Sequence, residues 1–207
     1  MLNVIFDMDG TLIDSENAIC AAINEIRADK NLPLLDSEYI KQVTHTPALN
    51  CPKIFYEIDN FPHPSYKVGF ESYFRKHYEQ SATLFDGVEW LLQRCKHKGY
   101  FLAIASNAPH DELPAILQRH KIAHFFDEVL GSRQGIESKP SPMMIEMIVQ
   151  KSPFNQSVFI GNGAKDRGAA QNAKIPYFHA KWGENSIKSD EFSDAKELFA
   201  LLQKLES

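Results

Sequence analysis

The sequence predicts an α/β fold, a parallel sheet with helices on both faces, carrying one small helical insertion. Three observations lead there. Five short runs rich in β-branched and aromatic residues, at 3–6, 100–105, 126–130, 157–161 and 175–179, have the length and composition of buried strands. Helical patterns at 87–97, 109–119, 142–150 and 167–173 stand between the later runs, and such alternation builds a parallel sheet covered on both sides. The interval from Ser15 to Ala82 breaks the rhythm, with helical patterns and no convincing strand. The expected division is a core of residues 1–14 and 83–207 and a helical insert of residues 15–82.

The first strand ends on "DMDGT". Residues two apart on a strand point to the same side, so Asp7 and Asp9, at and just past its carboxyl end, can be aimed into one crevice. Gly10 allows the sharp turn that follows, and Thr11 adds a hydroxyl. A simple Asp-Gly turn is the structural alternative. In the insert, Asp14 or Ser15 can cap a first helix whose stripe is Ala18, Ile19, Ala22, Ile23 and Ile26. Tyr66, Phe70, Phe74 and Tyr78 recur at steps of four and suggest a last helix, serving either a substrate-facing wall or the insert's own core. The stretch "THTPALNCPKIF" has two prolines and no clear period, and takes no assignment. His45, His63 and His77, or Lys41, Lys53, Arg75 and Lys76, could face an anionic substrate; packing and solvated helix faces are their ordinary roles.

The later strand ends also carry chemistry, and ligands of open α/β sheets bind beyond such ends. Ser106 and Asn107 follow the second strand, ahead of a helix whose first turn is expected to contain Pro109; they suit a phosphate or a helix cap equally. Lys139 precedes Pro140, which favours an extended lysine backbone, with Ser141 and Pro142 resembling an N-cap and first helical residue. "VFIGNGAKDRGAAQ" runs from a strand into a glycine-rich loop holding Asp166. Its spacing rejects the dinucleotide fingerprint, and no phosphate-binding P-loop motif occurs.

Composition narrows the partners. With 43% hydrophobic and 24% charged residues and a net charge of −5, the chain is an ordinary globular protein, and its acidity argues against nucleic acid as the main partner. Cys20, Cys51 and Cys95 are odd in number and widely spaced, so reduced, buried thiols are expected. The histidines form no close metal-binding pair. The first apolar stretch is too short for a signal peptide and no later run approaches membrane-spanning length, so a cytoplasmic location is expected, with no membrane partner.

With "DMDGT", Ser106-Asn107, Lys139 and "GNGAKD" in this order, the chain resembles the haloacid dehalogenase superfamily, in its phosphoglycolate phosphatase and β-phosphoglucomutase-like branch with an inserted helical cap of the C1 type. The resemblance covers essentially the whole length and implies a Rossmann-like core. It implies a magnesium-dependent phosphatase acting on a small phosphorylated metabolite, with Asp7 as nucleophile forming an aspartyl-phosphate and Asp9 as general acid and base. It further implies Lys139 neutralising nucleophile and phosphate, Gly10, Thr11, Ser106 and Asn107 at the phosphoryl group, and Mg2+ held by Asp7, the Asp9 carbonyl, Asn162 and Asp166. Trp182 and Gly183 would lie near the mouth of the site, and hinges near 14–16 and 81–86. Asp9 disfavours the dehalogenase branch. A phosphotransferase or sugar phosphomutase uses the same aspartyl-phosphate and remains an alternative, as does a catalytically impaired phosphate-binding module. The last follows from one departure: the family's usual Gly-Asp is here Gly161-Asn162. An amide brings no charge to a hard cation, so weaker magnesium affinity is expected. Asn162-Gly163 is also a deamidation-prone pair. A monomer is expected, with a dimer left open.

Overall fold

The computed structural model describes residues 1–63, 65–184 and 188–206. The chain opens with β1 (Asn3–Phe6), then β2 (Ile13–Asp14), which pairs antiparallel with β3 (Thr83–Leu84) in a ribbon of its own. Between these two short strands lie α1 (Glu16–Asp29), α2 (Ser37–His45), α3 (Cys51–Tyr56) and α4 (Glu71–Ser81). The remainder alternates: α5 (Val88–His97), β4 (Phe101–Pro109), α6 (Leu113–Arg119), β5 (Glu128–Ser132), α7 (Met143–Lys151), β6 (Ser157–Gly161), α8 (Ala164–Asn172), β7 (Tyr177–Ala180), β8 (Glu191–Phe192) and α9 (Ala195–Glu206).

Six strands pair in parallel in the order β5-β4-β1-β6-β7-β8. The chain moves outward from β1 through β4 to β5, then returns to the other side of β1 with β6 and moves outward again. Such a reversal opens a crevice beyond the strands' carboxyl ends. The period of two divides the strands between two apolar layers: Val4, Phe6, Leu102, Ile104, Val158 and Ile160 face one, and Ile5, Ala103, Ala105 and Phe159 the other. This is the α/β architecture that the alternating pattern predicts.

Several element boundaries differ from the sequence reading, each for a local reason. The parallel ladder of β4 with β5 continues through Ser106, opposite Gly131, and resumes irregularly at Pro109. Ser106 and Asn107 therefore lie within the end of β4 rather than at a helix start, and Pro114 takes the first-turn position of α6 expected for Pro109. Helix α8 begins at Ala164, three residues early, because the Asp166 carboxylate accepts the Gly163 N–H and caps that end. β5 and β7 each lie two residues further along at their start than predicted. β8 and the ribbon strands are two residues each and carry no sequence pattern, whereas α9 is a 12-residue amphipathic helix burying Ala195, Leu198 and Leu202 that adds to the predicted set.

In the insert, α1 packs on α4. Only Phe74 and Tyr78 of the aromatic series lie in α4; Tyr66 and Phe70 precede it. Their rings nevertheless meet Phe55, Phe74 and Tyr56 at centroid distances of 5.4, 6.0 and 4.4 Å, so the series builds the insert's own core. The unassigned stretch contains α3, whose start is capped by the Asn50 side chain. All three cysteines are free and buried. Among the described residues, no helix is long and apolar enough to cross a membrane.

Candidate active site

The carboxyl ends of β1, β4 and β6 and the loop after β5 converge on Asp7. Its backbone N–H donates to the Ile160 carbonyl at 2.8 Å, so the residue directly after β1 stays tied to the neighbouring strand. Beyond it the chain folds back, with the N–H groups of Leu12 and Ile13 both donating to the Met8 carbonyl at 3.0 Å. Gly10 sits at φ +76° inside this turn, and a Cβ there would lie 1.9 Å from the Asn162 amide nitrogen. A side chain at residue 10 would therefore displace Asn162.

Asp7 is 6% exposed. The Lys139 ammonium donates to its Oδ1 at 2.5 Å and pairs with Asp166 Oδ1 at 2.7 Å, while the Thr11 hydroxyl approaches Oδ2 at 3.4 Å. One buried cation thus serves two buried carboxylates. Burial pushes the Asp7 carboxyl up to about 7, against the opposing pull of Lys139, and the Asp166 charge adds to the rise.

Asp9 lives in a different environment. Its Oδ2 accepts from Lys67 Nζ at 2.8 Å, and its Oδ1 accepts from Ser15 Oγ at 2.7 Å and from the Tyr78 hydroxyl. Lys67 in turn donates to Tyr78 at 3.0 Å. Burial alone would raise this carboxyl, but the Lys67 charge and the three donors outweigh it and hold Asp9 below the ordinary carboxylate range. Lys67 and the role of Tyr78 were missed in the sequence: Tyr78 reads as part of an apolar stripe, and a lone lysine in a turn carries no periodic signal. Ser15 occupies the expected N-cap position, yet its hydroxyl serves Asp9 and makes no cap bond.

The other sequence candidates converge here with more particular tasks. The Asn107 amide grips the Lys139 backbone from both sides, accepting its N–H at 2.8 Å and donating to its carbonyl at 3.2 Å. The Lys139–Pro140 peptide is cis. Ser106 Oγ accepts the Ala108 N–H at 3.1 Å. The Trp182 indole donates to the Thr11 carbonyl at 3.1 Å and stacks on Phe85 at 4.9 Å, bracing the turn after Asp9. Both Asp166 oxygens are engaged, one by Lys139 and the other by the N–H groups of Asn162 and Gly163 at 3.2 and 3.0 Å. Deamidation of Asn162 requires the Gly163 nitrogen to attack the side-chain amide, so the bond from that N–H to Asp166 opposes it.

Asp7, Asp9, Gly10, Ser106, Asn107, Lys139, Asn162 and Asp166 line a cavity of about 230 Å³. Its far wall is the insert, including Glu16, Lys41, Thr44, His45, Cys51 and Lys67, whereas Thr11, Tyr78 and Trp182 do not line it. A Cβ on Gly163 would lie 2.9 Å from His45 Nδ1, so α2 reaches the loop after β6. His77 instead pairs with Glu25 at 2.5 Å, Arg75 with Glu112 at 2.8 Å, Lys76 with Glu25 at 2.7 Å and Lys53 with Asp59 at 2.7 Å. None of these four lines that cavity, and neither does His63, whose Nδ1 accepts the Ser65 N–H at 3.1 Å.

A parallel sheet that gathers carboxylates, a buried lysine and amide groups beyond its strand ends, roofed by a helical insert, defines an α/β enzyme with an anion-handling site. The chain belongs to the haloacid dehalogenase-like hydrolase family, whose model matches residues 4–180. It is 27% identical to the phosphoglycolate phosphatase of Vibrio cholerae, over 88% of this chain and 85% of that protein. It is also 27% identical to the phosphoglycolate phosphatase of Aliivibrio fischeri, over 96% and 95% of the two chains. In structure it superposes on a predicted phosphatase from Clostridium acetobutylicum with a TM-score of 0.77, at 20% identity over 98% of both chains. The two relatives matched in sequence are named phosphoglycolate phosphatases, in line with the activity class that the motifs suggest, and the structural match shows the fold.

Phosphatases of this family generally use Mg2+. The residues present fit such a cation in kind: Asp7 is a buried carboxylate only partly compensated by Lys139, and the Asn162 amide oxygen lies beside the same turn. All the donors are oxygen, as a hard cation requires. Among the described residues, however, no three His, Cys, Asp or Glu side chains form a group that could hold a metal, and that count is where Asn162 differs from an aspartate.

Proposed function

We propose that this chain is a magnesium-dependent phosphatase that hydrolyses a small phosphomonoester through an aspartyl-phosphate on Asp7, with residues 15–82 acting as a cap over a core of residues 1–14 and 83–207. The observation that carries this reading is the contrast on one strand end: Asp7 is held by groups of the core, and Asp9 by groups of the insert. As the two carboxyls stand, Lys67 and its companions keep Asp9 ionised, which suits the base that activates water. Asp9 as acid requires the insert to withdraw Lys67 first, and Asp7 becomes the free nucleophile once further positive charge enters its enclosure.

Asp7 attacks phosphorus, its bond to the phosphoryl group forming as the bond to the leaving alkoxide breaks, and Asp9 supplies the alkoxide with a proton. Asp9, ionised again, then takes a proton from the water that attacks phosphorus, and Asp7 is released with inorganic phosphate. Lys139, held by Asn107, offsets the charge of nucleophile and phosphate before any bond forms. Gly10, Thr11 and Ser106 shape the phosphoryl pocket through the turn after β1 and the end of β4. Asp7, the Asp9 carbonyl and Asn162 would hold Mg2+, with Asp166 acting through Lys139, and the cation would supply positive charge at the phosphoryl oxygens. The ribbon of β2 and β3 lies where the insert joins the core and is the natural hinge.

The test is magnesium-dependent phosphate release from an aryl phosphate and a panel of small phosphomonoesters, with Asp7→Asn as the blank. Release by the chain and not by the blank is the expected result. Binding of orthovanadate without release from any substrate would favour the impaired-module reading, which Asn162 alone supports.

A further inference from the structure

Among the glycines of the core, Gly163 alone leaves out a side chain that would meet the insert. At Gly10, Gly87, Gly99, Gly131, Gly161 and Gly168 an added Cβ would meet atoms of the core, and at Gly135 and Gly183 it would meet none. At Gly163 it would lie 2.9 Å from His45 Nδ1, closer than real Cβ contacts come, and only in ordinary contact with Asp166 at 3.5 Å. The backbone itself does not call for glycine, since φ −129° and ψ 168° are extended values that any residue adopts. What the glycine provides here is the space that His45 fills.

Neither side of this contact yields freely. The Gly163 N–H donates to Asp166 at 3.0 Å, its carbonyl accepts the Arg167 N–H at 3.1 Å, and the Tyr177 hydroxyl approaches the same carbonyl at 3.5 Å. The loop is thus pinned to the core. On the insert, His45 is the last residue of α2, and its Nε2 meets Glu16 Oε1 at 3.2 Å. Glu16 begins α1 and lies 3.5 Å from Lys41 as well. The ring is therefore held between Glu16 and Gly163: turning it away breaks the Glu16 pair, and keeping that pair carries α2 off the loop. His45, Glu16 and Gly163 all line the cavity, so their contact is part of its enclosure.

We propose that His45 is a positioning residue: braced by Glu16, it seats α2 on Gly163, and the absence of a side chain at residue 163 sets how closely the insert closes over Asp7 and Asp9. This rests on the reading of the insert as a cap over a phosphomonoester site. The three residues act through the position of the insert and not on the reacting atoms, by setting the population of the closed seat that keeps water from the cavity. Turning the ring off Glu16 gives up a partly exposed pair, worth about a threefold to fivefold change in an equilibrium. That is the effect expected from one added methyl group.

The test reads the seat without turnover. Cys20 and Cys51 line the cavity and are 4% and 5% exposed, whereas Cys95 is fully buried in the core. Iodoacetamide labelling of the full chain with magnesium in excess, followed thiol by thiol by peptide mass spectrometry, reports opening of the insert with Cys95 as internal reference. Gly163→Ala is expected to speed labelling of Cys20 and Cys51 by about threefold to fivefold. Cys95 should label no faster and Tm should not fall, since an extended backbone accepts alanine. In a His45→Ala background the same substitution is expected to change labelling by less than about 1.5-fold, because the ring it would displace is gone. The proposal is overturned if Gly163→Ala leaves both cavity thiols as protected as before, or if it speeds their labelling equally with and without His45. Phosphate release, measured separately, tells the two readings apart. Release without the labelling pattern removes this inference alone; the pattern without release leaves the seat standing and removes the phosphatase reading.

Discussion

Asp7 and Asp9 stand two residues apart at the end of one strand, yet their surroundings push them in opposite directions. Asp7 is enclosed by the core, shares its single cation with Asp166, and has its carboxyl raised to about 7 by burial. Asp9 meets burial too, but three donors from the insert, Lys67, Tyr78 and Ser15, hold it below the ordinary range. The difference teaches that Asp7, the proposed nucleophile, is surrounded by the sheet and its loops, whereas the state of Asp9, the proposed acid and base, depends on where the insert sits. A site built in this way couples its proton chemistry to cap position without needing a separate sensor.

The comparison breaks most sharply in activity. Asp7→Asn removes the attacking oxygen's charge and is expected to lower kcat by about 10⁴-fold or more, as for other groups that act as the nucleophile of a unit. Asp9→Asn is expected to cost about 10²-fold to 10⁴-fold on an alkyl phosphate and less on an aryl phosphate, whose leaving group needs little protonation. Parallel kinetics on the two substrate types separate the roles. Equal losses on both would deny Asp9 its part as acid.

Stability sharpens the same contrast, because the two substitutions should act with opposite sign when magnesium is chelated. Asp7 has a folded pKa above the unfolded one, so the folded state binds more protons and stability declines as pH rises from about 4 to about 7. Replacing it with asparagine removes a buried charge, leaves Lys139 paired with Asp166, and is expected to stabilise the chain by roughly 2–4 kcal/mol at pH 8. Asp9 has a folded pKa below the unfolded one, so its contribution is present at neutral pH and is lost as pH falls through the acidic range. Asp9→Asn strands Lys67, which is only 8% exposed at its side chain, and is expected to destabilise by about 3 kcal/mol. Denaturant titration of both variants at pH 8 and pH 5 checks the signs; two shifts in the same direction would abolish the distinction.

How far the sequence could reveal this depends on whether a residue signals through its neighbours in the chain. Asp7 and the loop after β6 could be read because a strand pattern places each at a carboxyl end, and Lys139, in the loop after β5, through its place in the order of such ends, which converge. The Rossmann-like alternation is legible for the same reason, through a period of two between two apolar layers. Lys67 could not be read, since its partner Asp9 lies 58 residues away and no local pattern links them. Asn107 was legible as a site residue but not in its task, because only the folded loop brings the Lys139 backbone to its amide. The boundary errors at β4 and α8 arose where ladder pairing and a side-chain cap overrode propensity. The aromatic series reads as one helix at steps of four, but only Phe74 and Tyr78 are helical, because ring packing, not helical periodicity, holds Tyr66 and Phe70 in place.

The smallest predicted effect concerns Asn162, and it tests whether the Asp7 side is tuned for its apo form. In the absence of metal, Lys139 already serves two carboxylates, and the amide of Asn162 packs against Gly10 without adding a third charge. Asn162→Asp would place another carboxylate in that enclosure, so its chelated form should be less stable by about 1 kcal/mol through like-charge repulsion. With magnesium the sign reverses, since a hard cation gains a charged oxygen ligand. The expected outcome is a magnesium affinity about 10-fold tighter in Asn162→Asp, a gain of about 1.4 kcal/mol, read as a larger metal-induced rise in Tm from a lower starting point. The asparagine would then trade metal affinity for stability of the metal-free fold, leaving Lys139 as the main positive charge at the nucleophile. Equal affinities in the two chains would mean that the amide oxygen serves the cation as well as a carboxylate does, and that charge at residue 162 does not limit this site.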